Sequence, residues 1–247
     1  MPEEMTKKRI FITGSADGLG LAAAKTLIGE GHEVIVHVRS KARLSAVKEL
    51  VDKGVIAVAG DLANFAEVEE IGRQVNQLGH MDAVIHNAGV YRGPITAVNV
   101  VAPYVLTALI KRPNRLIYLS SGLHRSGSPK LDSVDFSDRT AGNYSDSKLF
   151  ITTLSSALAR KWPDVVCSAV DPGWVPTKMG GPNATDDLLL GHTTQEWLAV
   201  SDEPEALVSG AYWYHKERGE PHTAASDENF QKELLDKLEK VTAYQLS

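Results

Sequence analysis

Residues 13–20 read TGSADGLG and stand between an apolar run, RIFIT at 9–13, and a strong helix former, LAAAKTLI at 21–28. The glycines at 14, 18 and 20 let a chain leave a strand, turn tightly and start a helix. The first amides of such a helix have no partner within it and lie at the positive end of its dipole, so a pyrophosphate fits against them. An ordinary strand-to-helix turn would use the same glycines, so the surrounding chain has to decide.

Outward from this turn, short apolar runs alternate with longer segments of helical period. Strands are predicted at 9–13, 33–38, 55–60, 81–86, 115–121 and 165–170, and helices at 18–30, 42–52, 64–77, 95–111 and 143–161. The strands are mostly Val, Ile, Leu and Ala with no polar alternation, which is how strands covered on both faces read. Strand and helix in turn make βαβ units, so the sheet is expected to be parallel and doubly wound, an α/β Rossmann-type fold. After residue 170 the pattern changes. MGGPNATDD at 179–187 is rich in loop formers; a short helix is expected near 193–201 and a strand near 210–215. A last amphipathic helix is expected at about 227–242, with Ser226 as its N-cap. With no repeat, low-complexity tract or linker, residues 1–247 read as one domain.

Composition bounds the function. A net charge of -5 argues against nucleic acid or an anionic membrane as partner. Cys167 is the only cysteine, so no internal disulfide can form, and a cytoplasmic location is expected. The charged start MPEEMTKKR leads into only four residues, IFIT, before a glycine, too few for a signal peptide's core. No run approaches the roughly 20 apolar residues of a membrane-spanning helix. No His, Cys and Asp cluster has metal-ligand spacing, so no metal is expected. His86 and His124 are read as structural.

The second strand ends HVRS. A carboxylate at this point would take the free ribose hydroxyls of NAD(H); this chain has Val38 and then Arg39, whose guanidinium suits a 2′-phosphate. NADP(H) is therefore expected over NAD(H), although Asp17 in the glycine loop pulls the other way.

Together these stretches resemble the short-chain dehydrogenase/reductase family of the single-domain type, over nearly the whole chain. TGSADGLG resembles its TGxxxGxG, and Gly60-Asp61-Leu62 its adenine-contacting aspartate. HNAG at 86–89 resembles NNAG, and Leu119-Ser120-Ser121 the serine motif. YSDSK at 144–148 is its YxxxK, and DPGWVPT at 171–177 resembles PGxVxT. The gap between Ser121 and Tyr144 and the C-terminal stretch look most like the retinol dehydrogenase-like branch and its bacterial relatives. The resemblance implies cofactor contacts from Gly14, Ser15, Gly18, Leu19, Gly20, Arg39, Asp61, Leu62, Asn87, Ala88, Gly89, Pro172, Gly173, Val175 and Thr177, with Tyr144 and Lys148 also touching the cofactor.

It also implies a catalytic set. Tyr144 would exchange a proton with the substrate oxygen. Lys148, one helical turn on, would hold the nicotinamide ribose and lower the phenol from its free value near ~10. Ser121, preferred over Ser120, would donate to the same oxygen. Asn99 would hold a water linking Lys148 to solvent. The expected reaction interconverts a carbonyl and an alcohol. A dehydratase or epimerase on this fold would need a separate substrate domain. A redox sensor that only binds nucleotide would be expected to lack the tyrosine or the lysine.

Two features stand apart. Only residues 90–98 separate HNAG from Asn99, shorter than in relatives. This puts in doubt both the role of Asn99 and the family's usual dimer face, and with it a homo-oligomer. Residues 177–197 read as a substrate lid. Trp174 beside it, with Met179, Leu188, Leu189, Leu190 and Trp197, suggests an apolar, bulky substrate, though core packing would use the same residues.

Overall fold

Along the first strand, β1 (Arg9–Ile12), Ile10 and Ile12 enter one hydrophobic core and Phe11 enters another. That division explains the unbroken apolar runs: side chains alternate between faces, and both faces are covered. The computed structural model describes residues 6–138 and 140–247, so the first half of the charged N-terminal stretch lies outside the described residues.

The remaining elements are α1 (Gly18–Gly29), β2 (Glu33–Val38), α2 (Lys48–Val51), β3 (Ile56–Ala59), α3 (Phe65–Gln77), β4 (Ala83–His86), α4 (Ala102–Leu109), β5 (Arg115–Leu119), α5 (Tyr144–Lys161), β6 (Val166–Asp171), α6 (Leu188–Val200), β7 (Ala211–Tyr214), β8 (Glu217–Gly219), α7 (Thr223–Ser226) and α8 (Glu228–Thr242). They form one sheet in the order β3-β2-β1-β4-β5-β6-β7-β8. The first seven strands are parallel and β8 is antiparallel. One core lies under α1, α2 and α6, with Leu27, Leu50 and Leu198. The other lies under α3, α4, α5 and α8, with Ile71, Leu106, Leu154 and Leu234. The strand order reverses between β1 and β4, which opens a crevice at their C-terminal ends.

Several boundaries depart from the sequence reading. The helix expected at 42–52 is a 3-10 stretch, Lys41–Val47, followed by the single turn of α2. The helix expected at 95–111 carries a π-helical turn, Ala97–Val101, two residues after its start. The helix expected near 193–201 begins earlier, at Leu188, because the Asp187 carboxylate caps it by accepting from the amides of Leu189 (2.7 Å) and Leu190 (3.1 Å). The final helix is capped by Asp227, not Ser226: Asp227 accepts from Asn229 (2.8 Å) and Phe230 (3.0 Å), while Ser226 ends α7. α8 lies along α5, with the Phe150 and Phe230 ring centroids 6.3 Å apart, and covers its outer face.

Candidate active site

The glycine loop is tied down from two sides. Gly14 adopts a φ of +65°, and a Cβ there would come within 2.8 Å of Ala88 Cα. A Cβ at Gly20 would overlap the Asn87 amide and lie 2.7 Å from the Gly14 carbonyl. Asn87 Nδ2 donates to the Thr13 carbonyl (2.9 Å), and the Ala88 amide donates to Thr13 Oγ1 (3.0 Å). Thus HNAG at the end of β4 buttresses the loop after β1.

Sequence reasoning missed His37 on β2. The Gly14 amide donates to its Nδ1 (2.9 Å) and its Nε2–H donates to the Gly60 carbonyl (2.9 Å), so one neutral imidazole joins two loops. Burial pushes its pKa down to about 4. The available signal was a histidine inside an otherwise apolar strand, EVIVHV.

A cleft of about 620 Å³ runs over this loop. Among the expected cofactor residues, Gly14, Gly18, Leu19, Arg39, Asp61, Leu62, Asn87, Ala88, Gly89, Tyr144, Lys148, Pro172 and Thr177 line it. Ser15, Gly20, Gly173 and Val175 do not line it, nor do Ser121 and Asn99 of the expected catalytic set. Ser15 is fully buried, its hydroxyl donating to Ile12 O (2.9 Å) and accepting from the His37 amide (2.8 Å). Val175 is buried as well.

At one end of the cleft Arg39, with its side chain 73% exposed, pairs with Asp61 through Nε (2.9 Å) and its terminal nitrogen (2.8 Å). Asp17, at the N-cap position of α1, makes no capping bond. Its carboxylate instead pairs with Arg43 (3.1 Å) and Lys178 (2.8 Å). The opposing charge that the sequence suggested is therefore neutralised, and the first amides of α1 carry no side-chain cap. Arg39, Arg43 and Lys178 outnumber Asp17 and Asp61 at this end.

At the other end, Asn143 caps α5 by accepting from the Asp146 amide (3.0 Å), which sets Tyr144 in the first turn. Lys148 is buried, its Nζ 5.5 Å from the centre of the Tyr144 ring and donating to the Leu119 carbonyl (2.6 Å). The Ser121 hydroxyl accepts from the Leu123 amide (3.3 Å), and its side chain favours the ionised form of the Tyr144 phenol. Ser120 is turned inward, its hydroxyl 2.6 Å from Thr152 Oγ1. Of the two serines, Ser121 acts on the Tyr144 phenol, whereas Ser120 is the one that lines the cleft. Tyr91 packs on Tyr144 at 4.8 Å between ring centroids.

The lowering of the Tyr144 phenol expected from Lys148 is not found. Burial pushes Tyr144 up to about 12; the hydrogen bond from Ser121 opposes this, while Asp171 and Tyr91 add to it. Burial also takes Lys148 down to about 8. Its nitrogen points at a strand carbonyl and sits over the ring, so it does little for charge on the hydroxyl.

Asn99 sits in the π-helical turn and is buried. Its Oδ1 accepts from the Val90 amide (2.8 Å); its Nδ2 donates to the Val90 carbonyl (3.0 Å) and to Ser147 Oγ (3.0 Å). The short 90–98 connection is thus clamped by Asn99 itself, and the extra residue of a π turn accommodates it. A Cβ on Gly89 would lie 3.5 Å from both Asn99 Oδ1 and Lys148 Nζ, so the two residues meet around Gly89.

His86 and His124 have structural roles. His86 stacks on Tyr118 with centroids 4.8 Å apart. His124 donates from Nδ1 to the Ser121 carbonyl (2.7 Å), since its Nε2 accepts from the His222 amide (3.0 Å).

The expected lid divides into a loop and a helix. Trp174 is exposed, with its Nε1–H donating to the Gly180 carbonyl (2.9 Å). Met179, Leu189 and Leu190 are also exposed. Trp197 belongs to the core side, edge-on to Trp213 at 5.2 Å.

The comparisons with known proteins fit this arrangement. A short-chain dehydrogenase of Penicillium rubens is 35% identical, across 96% of this chain and 98% of the relative. The chain belongs to the short-chain dehydrogenase family. The family's own model, described as short chain dehydrogenase, matches residues 8–109. Human retinol dehydrogenase 13 is 26% identical over 92% of this chain and 82% of its own. Among solved structures, an uncharacterized protein from Mycobacterium paratuberculosis superposes with a TM-score of 0.81 at 22% identity, covering 97% of this chain and 95% of that one. A blue fluorescent protein from a metagenomic library, described in complex with NADPH, superposes with a TM-score of 0.69 at 23% identity, covering 84% and 95%. The family is one of oxidoreductases, and the fold is the one its members share. Among the described residues, no helix is long and apolar enough to cross a membrane.

Proposed function

We propose that this family member is an NADP(H)-dependent oxidoreductase interconverting a carbonyl and an alcohol, with Ser121, Tyr144, Lys148 and Asn99 as its working residues. The observation that carries the reading is that Tyr144 and Lys148 of α5 line the same cleft as the glycine loop, with Ser121, just past the end of β5, acting on the Tyr144 phenol.

The residues present fit a dinucleotide. The α1 amides without a side-chain cap suit a pyrophosphate. Arg39, exposed and lining the same cleft as Arg43 and Lys178, suits a 2′-phosphate, which supports NADP(H) over NAD(H). Lys148 is available to the ribose at the far end. The nicotinamide, when bound, supplies or accepts the hydride.

The chain's own part is proton and field. A phenol held near 12 keeps its proton at neutral pH, which suits Tyr144 as the acid that protonates a reduced carbonyl oxygen. Ser121 donates a hydrogen bond to that oxygen as charge builds on it. Residues 177–187 are proposed to cover the substrate, and exposed Tyr91, Trp174 and Met179 favour an apolar one. The covering of α5 by α8 supports a chain that does not pair through that face. The buried single cysteine is consistent with a cytoplasmic enzyme.

The test is NADPH oxidation against a panel of aldehydes and ketones, with NADH in parallel. Turnover with NADPH on apolar carbonyls is expected; no turnover with any member would remove the reading.

A further inference from the structure

Tyr144 is the first residue of α5 after its N-cap, Asn143. Inside a helix the preceding turn closes one of the three staggered wells to a side chain. Tyr144 has no preceding turn, so what orients its ring lies outside the helix backbone. Two side chains pack on it. Lys148 places Nζ 5.5 Å from the ring centre, and the Tyr91 ring stands 4.8 Å away, tilted by 50°. That separation and tilt suit an attractive aromatic pair. Tyr91 is itself 51% exposed. Among the described residues its hydroxyl has no hydrogen-bond partner, and Tyr144 is the one ring it packs on.

The chain around Tyr91 is fixed on both sides. Before it, Asn99 takes both backbone groups of Val90, the amide at 2.8 Å and the carbonyl at 3.0 Å. After it, Gly93 adopts a φ of +79°, and the Ile95 amide donates to the Gly93 carbonyl (2.7 Å), a three-residue turn centred on Pro94 with its locked φ. The Thr96 amide donates to the Ala141 carbonyl (3.2 Å), in the stretch that leads into Asn143. A Cβ on Gly142 would lie 2.8 Å from the Thr96 amide nitrogen, so the two segments touch. The turn that carries Tyr91 and the start of α5 are thus held in one register. Val90 and Arg92, on either side of Tyr91, line the cleft, and Tyr91 does not. Its contact with the site is therefore the Tyr144 ring.

We propose that Tyr91 is a positioning residue, whose ring braces Tyr144 in the orientation that presents its phenol to the cleft. Proton transfer is sensitive to small misplacements of the acid, so a side chain that removes the alternative rotamers of Tyr144 raises the rate without touching substrate. Lys148 lies one turn further along the same helix and covers the ring from there; Tyr91 reaches it from a separate segment. The contact is made by the face of the ring, so the Tyr91 hydroxyl is dispensable to it.

The rate effect rests on the oxidoreductase reading; the placement of the ring does not, and the experiment separates them. In the free protein with tyrosine rings labelled with carbon-13, the Tyr144 signal is identified by its loss in Tyr144→Phe. Tyr91→Leu removes the neighbouring ring current and the brace, so the Tyr144 signal should move toward that of a freely turning tyrosine; Tyr91→Phe should keep it near its original place. Tyr91 is half exposed and makes no side-chain hydrogen bond among the described residues, so both variants should fold. In NADPH-dependent carbonyl reduction, Tyr91→Leu should lower kcat about tenfold, the most one aromatic pair supplies, with KM within about twofold, as for an interaction felt only in the transition state. Tyr91→Phe should recover most of that loss. An unmoved Tyr144 signal or an undiminished kcat in Tyr91→Leu overturns the proposal. So does a raised KM at unchanged kcat, which would make Tyr91 a substrate contact, or a loss in Tyr91→Phe as large as in Tyr91→Leu, which would place the effect in the hydroxyl. Absence of turnover in the unaltered protein would instead count against the oxidoreductase reading, while the ring signal would still decide whether Tyr91 holds Tyr144.

Discussion

Lys148 Nζ lies 5.5 Å from the centre of the Tyr144 ring, one helical turn away, and gives a hydrogen bond to the Leu119 carbonyl at 2.6 Å. This ties α5 to the end of β5, so the two candidate residues share one rigid mount with Ser121. It also keeps a buried ammonium partnered, since an unpaired one would lose its proton.

Cofactor choice is expected to depend on Arg39. Arg39→Ala removes the exposed guanidinium and leaves Asp61 without its partner. NADPH affinity should fall about tenfold, toward the low end for a charged hydrogen bond because the site is open to water. NADH affinity should change little. Titration of both nucleotides checks this, and equal losses would show that Arg39 does not sense the 2′-phosphate.

His37 predicts an acid-sensitive fold. Its folded pKa, about 4, lies below the ordinary 6.5, so the fold requires the neutral ring. The contribution is complete above pH 6.5 and lost as pH falls toward 4. His37→Gln can still accept from Gly14 and donate to Gly60 without titrating. Between pH 7 and pH 4.5 it should lose about 2 kcal/mol less stability than the unaltered protein. Urea unfolding at the two pH values measures the difference; parallel losses would remove His37 from the account.

The lid prediction is sharpened by the helix at Leu188–Val200. Amides at 188–200 past the first turn should be protected from exchange in every state. Those at 178–186 should exchange fast in the free protein and slow when cofactor and substrate are both bound. Hydrogen exchange followed by mass spectrometry resolves the two segments. Equal protection of 178–186 in all states would make it fixed structure.

Much of this arrangement could be read from residue order alone. Strands buried on both faces write themselves as unbroken apolar runs, and the TGSADGLG turn sits where such a strand meets a helix. The signals that failed were of two physical kinds. Short or irregular elements leave no periodicity: β8 is the exposed tripeptide Glu217–Gly219, and the π turn at Ala97–Val101 differs from an α-helix by one residue. The start of α6 was hidden because LLLG after MGGPNATDD reads as more loop, while its deciding feature is one capping carboxylate, Asp187. The second kind was long-range electrostatics. Asp17 looked unfavourable for a phosphate until Lys178, 161 residues away, was seen to neutralise it. Helical spacing alone predicts that Lys148 tunes Tyr144 down; it carries no sign of burial, which dominates, or of Asp171, distant in sequence.

The central claim is most directly tested by Tyr144→Phe, which keeps the ring and removes the proton. NADPH-dependent carbonyl reduction should fall by about 10²–10⁴-fold, while the NADPH dissociation constant, measured by titration, stays within about twofold, far less than the tenfold that one strong contact supplies. A variant that binds NADPH normally and still reduces the carbonyl at more than about a tenth of the original rate, less than general-acid loss would cost, would contradict the account.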